Sequence, residues 1–249
     1  MNITEMHLAV QQGVDKINSF QADTLLPQEI DLELNKAIDK FINLKYGKNN
    51  LYGKGFEESQ KRVDDLRAIV KTEKIKFKYL EESVHNSHVY FSDELPSDYR
   101  YLVKTLCTVY CNKSCSTLTW QQQILEELIP GNSRKIGLVS AKFVQHDDIH
   151  SFLADPFNTT KRNKPLIVFE GNGIKAYTND IFIIDSLKLT YIKNPAKVSL
   201  SLDTGIESVD CELAEHTHQE IVDMTINSIL EGISDLRYKT QQIELGKNE

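Results

Sequence analysis

The densest run of ligand-type side chains is QHDDIH, which holds His146, Asp147, Asp148 and His150. Imidazoles and carboxylates this close are the ingredients of a metal-dependent hydrolase, in which an ion polarises water and a carboxylate takes its proton. The same letters also spell a helix start. Aspartate ahead of an apolar run accepts the first free backbone amides, and Ile149, Phe152 and Leu153 then fall on one side of a short helix. A second run, EHTHQEIVD, alternates His216, His218 and Glu220. An alternating pair of histidines is not a zinc set, which needs three or four converging ligands. Thr217 followed three residues later by Glu220 predicts a capping box instead, with the carboxylate at the positive end of the helix. That helix carries Val222, Ile226, Ile229, Leu230 and Ile233 on one stripe.

The remaining reactive side chains are less suggestive. His85 and His88, in HNSH, fall between two expected strands and read as a solvated turn. Cys107, Cys111 and Cys115 repeat every four residues in CTVYCNKSC, and Cys211 stands alone. A helix would align the first three thiols, but CTVYC also alternates as a strand does. No histidine follows at metal spacing, so the thiols read as small buried groups in a reducing compartment. GNGIKA and LYGKGFEES lack the spacing of a dinucleotide turn or a phosphate loop, and no GxSxG or HExxH occurs. The residues therefore predict no enzyme, no cofactor and no metal.

The elements that must position these residues come from composition and period. The chain has 249 residues, 40% hydrophobic and 26% charged, an ordinary globular composition able to build a core without disulfides. Its formal charge of −7 argues against tight binding to duplex DNA, and suits a channel wall that DNA passes without sticking. No apolar run is long enough to span a membrane, and MNITEMHLAVQQGVDKI lacks the pattern of a secretory signal.

Helical spacing dominates at first. Met6, Val10, Val14 and Ile17 form one stripe, with Asn2 and Glu5 as its cap. Pro27 opens a second helix with Ile30, Leu34, Ile38, Phe41 and Ile42 on its buried side, Lys45 in its last turn and Gly47 as a left-handed end. A glycine- and asparagine-rich loop, KNNLYGKG, leads to a third helix over FEESQKRVDDLRAIV. KIKFKYL and HVYFSD then alternate as strands, with the lysines suited to an exposed edge or face. LPSDYRYLVKTL returns to helical spacing through Tyr99, Leu102, Val103 and Leu106. Pro130-Gly131 marks a turn.

From Lys135 the chain predicts strands at KIGLVSAKFV, PLIVFE, GIKAYT, DIFIID, LKLTYI and AKVSLSL, with hairpins at residues 171–173 and 178–180. A long connection over residues 145–165 holds the basic cluster KRNK. The fold class is α+β: N-terminal amphipathic helices, then an antiparallel β-rich half closed by a C-terminal helix. A single structural domain over 1–249 is expected, with a helical part (1–72), a mixed β-rich part (73–202) and a C-terminal helix and tail (203–249).

Three segments together resemble a known family: LLPQEIDLELNKAIDKFINLKYG, LPSDYRYLVKTL, and the run from DDIHSFLADPFNTTKRNKPLIVFEGNGIKAY through LKLTYIKNPAKVSL to CELAEHTHQEIVDMTINSILEGISDLRYKTQ. They are similar to virion structural proteins of crAss-like phages, in particular the ring or head–tail connector proteins stacked below the portal. CTVYCNKSC matches no shared pattern. The resemblance implies a homo-oligomeric ring of twelve copies in the neck of a short-tailed virion, made in the host bacterial cytoplasm. It implies contacts with the portal and other neck or tail rings, and a lumen that passes DNA. The candidate partner-contact loop comprises Asp155, Pro156, Phe157, Lys161, Arg162 and Lys164. Rival expectations are another virion component such as a tail hub or capsid auxiliary protein, a metal-dependent hydrolase, and a cytoplasmic module of host takeover.

Overall fold

The computed structural model describes residues 1–17, 25–47, 55–84, 87–92, 94–111, 134–179, 181–201 and 207–232. The expectations for most of KNNLYGKG, for His85, Cys115 and Ile233, for the turn at Pro130-Gly131 and for the C-terminal tail lie outside these residues. The chain divides into two compact units: Met1–Ile69 with Asn194–Glu249, and Val70–Lys193.

The first unit is helical. Helix α1 (Ile3–Ile17) opens with the expected capping box: Asn2 Oδ1 accepts the Glu5 amide at 2.8 Å, and Glu5 Oε2 accepts the Asn2 amide at 3.0 Å. Met6, Val10 and Val14 are buried. Helix α2 (Pro27–Tyr46) starts at its proline and buries the predicted stripe of Ile30, Leu34, Ile38, Phe41 and Ile42. Gly47 is not left-handed. It is extended, at φ −75° and ψ 162°, and its amide donates to the Asn43 carbonyl at 3.0 Å. Helix α3 (Gln60–Leu66) is shorter than its sequence stripe, because the backbone tightens into a 3-10 turn over Arg67–Ile69 and enters a strand at Val70.

The final helix of this unit runs from His218 to Gly232 (α5 in chain order) and buries Val222, Ile226, Ile229 and Leu230. It meets α1 at Gly13, where a side chain would collide with Ile226. Glycine there lets the two backbones approach.

The predicted strand AKVSLSL is extended but belongs to no sheet. Helix α2 supplies its partners. Asn35 Oδ1 accepts the Val198 amide at 3.0 Å and Asn35 Nδ2 donates to the Val198 carbonyl at 3.0 Å, while Asp31 accepts the Leu200 amide. On the other side Ser199 bridges Val209. Side chains one helical turn apart thus substitute for a neighbouring strand.

The second unit is an eight-stranded sheet: β1 (Val70–Val84), β2 (Ser87–Ser92), β3 (Tyr99–Cys111), β4 (Arg134–Ser140), β5 (Lys142–Phe143), β6 (Leu166–Glu170), β7 (Gly173–Thr178) and β8 (Phe182–Lys193). Their order is β4-β3-β8-β1-β2-β7-β6-β5, antiparallel except for β5 with β6. The first and last strands of that order are separated in sequence by Ala141 alone. Its amide donates to Thr105 of β3 at 3.3 Å, and the next amide, Lys142, donates to Pro165 beside β6 at 2.8 Å. One run of chain therefore passes from one margin of the sheet to the other, and the sheet curls closed as a barrel. Strand β1 makes the opposite corner: Val70–Lys76 pair with β8 and Phe77–Val84 with β2.

The barrel interior holds Ile75, Cys107, Val109, Ile167, Leu189 and Tyr191, among others. Outside β6 a second cluster forms where the short helix α4 (Ile149–Ala154) lays Ile149 and Leu153 on Leu166, Val168 and Tyr177. Strand β6 is covered on both faces, which explains its unbroken apolar run, LIVF.

In the barrel three further expectations change. LPSDYRYLVKTL is not helical, because Tyr99 onward forms β3. Register shifts between Tyr99 and Tyr101 and between Leu102 and Lys104 skip residues, so Tyr99 and Leu102, three apart, both pack on the barrel core as they would on a helix face, while Leu106 lies opposite Lys188. DIFIID and LKLTYI are one strand, β8, whose pairing with β3 shifts between Thr108 and Val109. The 171–173 hairpin forms, with Gly171 at φ +57°. The 178–180 turn joins no hairpin, since β7 pairs with β2 and β6 rather than β8.

Candidate functional site

The long connection after β5 is built, not loose. Val144 donates to Ile167 at 2.9 Å as it leaves the barrel, α4 packs on β6, and Thr160 donates to the Tyr177 carbonyl at 2.6 Å where the chain returns. Between these anchors stands a turn organised by Asp155. Its Oδ1 accepts the Phe157 amide at 2.9 Å, its Oδ2 accepts Asn158 Nδ2 at 2.6 Å, and its own carbonyl accepts the Thr159 amide at 2.9 Å. The Phe157 amide, then the Asn158 side chain, hold the Asp155 carboxyl below its usual value.

Pro156 and Phe157 occupy the tip of this turn, and Phe157 is 84% exposed. Lys161 Nζ donates to the Phe157 carbonyl at 2.7 Å, and Lys161 and Lys164 close a tight turn that leaves Arg162 half-buried. The arrangement is a hydrogen-bonded platform that holds one aromatic ring in solvent and is followed in sequence by three cationic side chains.

The metal-like runs separate into structural partners. His146 Nε2 lies against the Phe169 carbonyl, Ile149 opens α4, and Asp147 and Asp148 are exposed. In EHTHQEIVD each side chain takes a different partner. His216 Nε2 meets Asp65 at 2.9 Å. Both ring nitrogens of His218 lie against carbonyls, Met1 at 2.9 Å and Leu213 at 3.0 Å, which occupy the positions an ion would take. The Thr217 hydroxyl donates to Ala214 O at 2.7 Å, and Glu220 takes Lys45 Nζ at 2.7 Å. These partners replace the reciprocal Thr217–Glu220 pair expected from spacing, because a 3-10 turn over Glu215–Thr217 precedes the helix. Among the described residues no group of three His, Cys, Asp or Glu side chains converges as metal ligands do.

Two ionic centres escaped the sequence reading. In the helical unit Lys45 Nζ lies 2.7 Å from Glu220 and 3.6 Å from Asp65, with Lys45 and Asp65 both buried. Arg62, also buried, donates to the carbonyls of Leu44 and Lys45 at 2.9 and 3.2 Å. The expectation of Lys45 in a last turn hints at this, but its acidic partners are far away in sequence. In the barrel, Tyr191 donates to Asp98 at 2.8 Å and Lys71 reaches the same carboxylate at 2.6 Å. The Lys71 contact holds Asp98 below its usual value, and burial raises Tyr191. Burial alone pushes the Cys107 thiol up to about 12, so it is inert at neutral pH. His88 lies in β2 with its ring against Tyr79.

Among the described residues every perturbed group has a structural cause, and the most exposed large apolar side chain, Phe157, sits on a built platform. This is a protein of surfaces, and comparison with protein families gives the class: a phage tail ring protein. The chain matches the family of phage tail ring protein 3/4, the ring proteins of crAss-like phages, over residues 2–241, and it belongs to that family. No curated protein matches the chain. No helix among the described residues is long and apolar enough to cross a membrane.

Proposed function

We propose that the protein forms a neck ring of twelve copies that joins the portal to the tail, with DNA passing through its lumen. The family match across residues 2–241 carries this proposal. A formal charge of −7 supports passage of DNA without specific binding, since like charges do not grip phosphates. The whole chain, 1–249, acts as one structural piece. It is made in the host cytoplasm and ends in the virion. The platform of Asp155, Pro156, Phe157, Lys161, Arg162 and Lys164 is its partner-contact loop. An exposed aromatic held by a pre-ordered turn loses little freedom on docking, which is what distinguishes an interface anchor from a solvated loop.

The test is imaging of virions carrying a tagged copy of this chain, with quantitative mass spectrometry of disassembled particles. A ring of twelve beside the portal is the expected result. Six copies at the tail tip would assign the chain to a hub, and absence from virions would defeat the proposal.

A further inference from the structure

The outer face of β4-β3-β8-β1 is laid out by strand register. Lys74 lies directly opposite Lys188, Lys76 opposite Ser186, and Lys104 opposite Thr190. Their neighbours Ile75, Leu187 and Leu189 point into the barrel core, so alternation turns these lysines outward. All four are exposed. Among the described residues no carboxylate pairs with any of them. Ammonium groups directly opposite each other across an antiparallel pair repel. The isolated barrel is therefore less stable for keeping Lys74 and Lys188 together, and an anionic partner laid across them removes that cost. On the same side Ser186 and Thr108 are buried against each other, and beyond them the side chain of Leu138 on β4 is exposed.

The chain supplies the complementary surface itself. Its acidic excess lies wholly outside Val70–Lys193, where lysine and arginine slightly outnumber aspartate and glutamate. The helical unit exposes Asp15, Glu57, Glu207 and Glu231. We propose that the lysine face of the barrel docks on the acidic helical unit of a second copy of the chain. The inference rests on the ring reading and names a contact that builds it. A basic face on one unit and an acidic one on the other make a head-to-tail contact, in which every copy offers both halves; such contacts close into rings. Opposite fields also steer the encounter.

The test compares the full-length chain with K74E and with K74E/K188E. Sedimentation velocity follows association across concentration at low and high salt. Mixed 14N and 15N chains are treated with a zero-length carbodiimide, and links between copies are read by mass spectrometry. K74E places opposite charges across the strands, so it is expected to melt no lower than the parent while associating about tenfold or more weakly. K74E/K188E is expected to lose salt-sensitive association, and parent links are expected to join these lysines to carboxylates of 1–69 or 194–249. Association undiminished in both variants, or links confined to other lysines, overturns this face and leaves the ring intact. A parent chain that stays monomeric and unlinked at every concentration overturns the inference, while the ring is judged separately in virions. A fluorescent 30-base-pair duplex bound by the parent and released by K74E/K188E assigns the face to nucleic acid and also overturns it.

Discussion

Asp155 shows how one carboxylate can organise a functional surface without touching a ligand. It holds the Phe157 amide and the Asn158 side chain, and both contacts favour its charged form. A carboxyl whose folded value is lowered contributes order above its unfolded value of about 4, and that order is lost as pH falls through the lowered value. Amide exchange at Phe157 and Thr159, measured against each amide's intrinsic rate, is expected to stay slow at neutral pH and to quicken below about pH 4. Asp155→Ala should make it fast at every pH without moving the global melting transition. Unchanged exchange in that variant contradicts the platform. The buried centre at Lys45 works differently. Removing the ammonium takes one of two ionic partners from buried Asp65 and leaves His216 as the other, so Lys45→Met is expected to cost about 3–5 kcal/mol in chemical denaturation. A loss under about 1 kcal/mol would show that water reaches the pair.

At the scale of elements, the pairing of α2 with the extended segment around Val198 makes a specific demand on Asn35. Its amide group satisfies both the Val198 amide and carbonyl. Asn35→Ala should cost about 1–3 kcal/mol by leaving backbone groups unpaired, whereas Gln28→Ala, exposed on the same helix, should cost far less. Equal effects would remove the special role of the clamp. The stripes of α1 and α2 and the Asn2–Glu5 cap were legible in the sequence because they depend on local spacing. The 171–173 hairpin was legible because GNG has its own turn chemistry. Strand β3 was not, since its bulges imitate helical spacing, and bulges are set by partners distant in sequence. Thr217 and Glu220 had the right spacing for a cap, but a 3-10 turn and Lys45 claimed them. Alternating lysines in KIKFKYL announced an exposed face. That Lys74 confronts Lys188 depended on register, which no single strand encodes.

For the whole molecule, membership of the ring family makes association the measure of function. Phe157→Ala removes an 84% exposed ring that contributes nothing to the core. It is expected to leave the melting temperature unchanged while weakening incorporation into particles about thirtyfold, the effect of one interface anchor. Full incorporation in competition with the parent would show that the platform is not used. The passage of a single backbone run through Ala141 from β3 to β6 bears on a different hazard. A subunit made in many copies at once risks strand-to-strand polymerisation, because an open ladder templates the next chain. Because its two margins are adjacent segments of one run of chain, the barrel presents short edges instead of a long open ladder once it closes. Proteolytic nicking between β4 and β5 should turn the closed subunit into a fibril former, read by electron microscopy of the nicked protein.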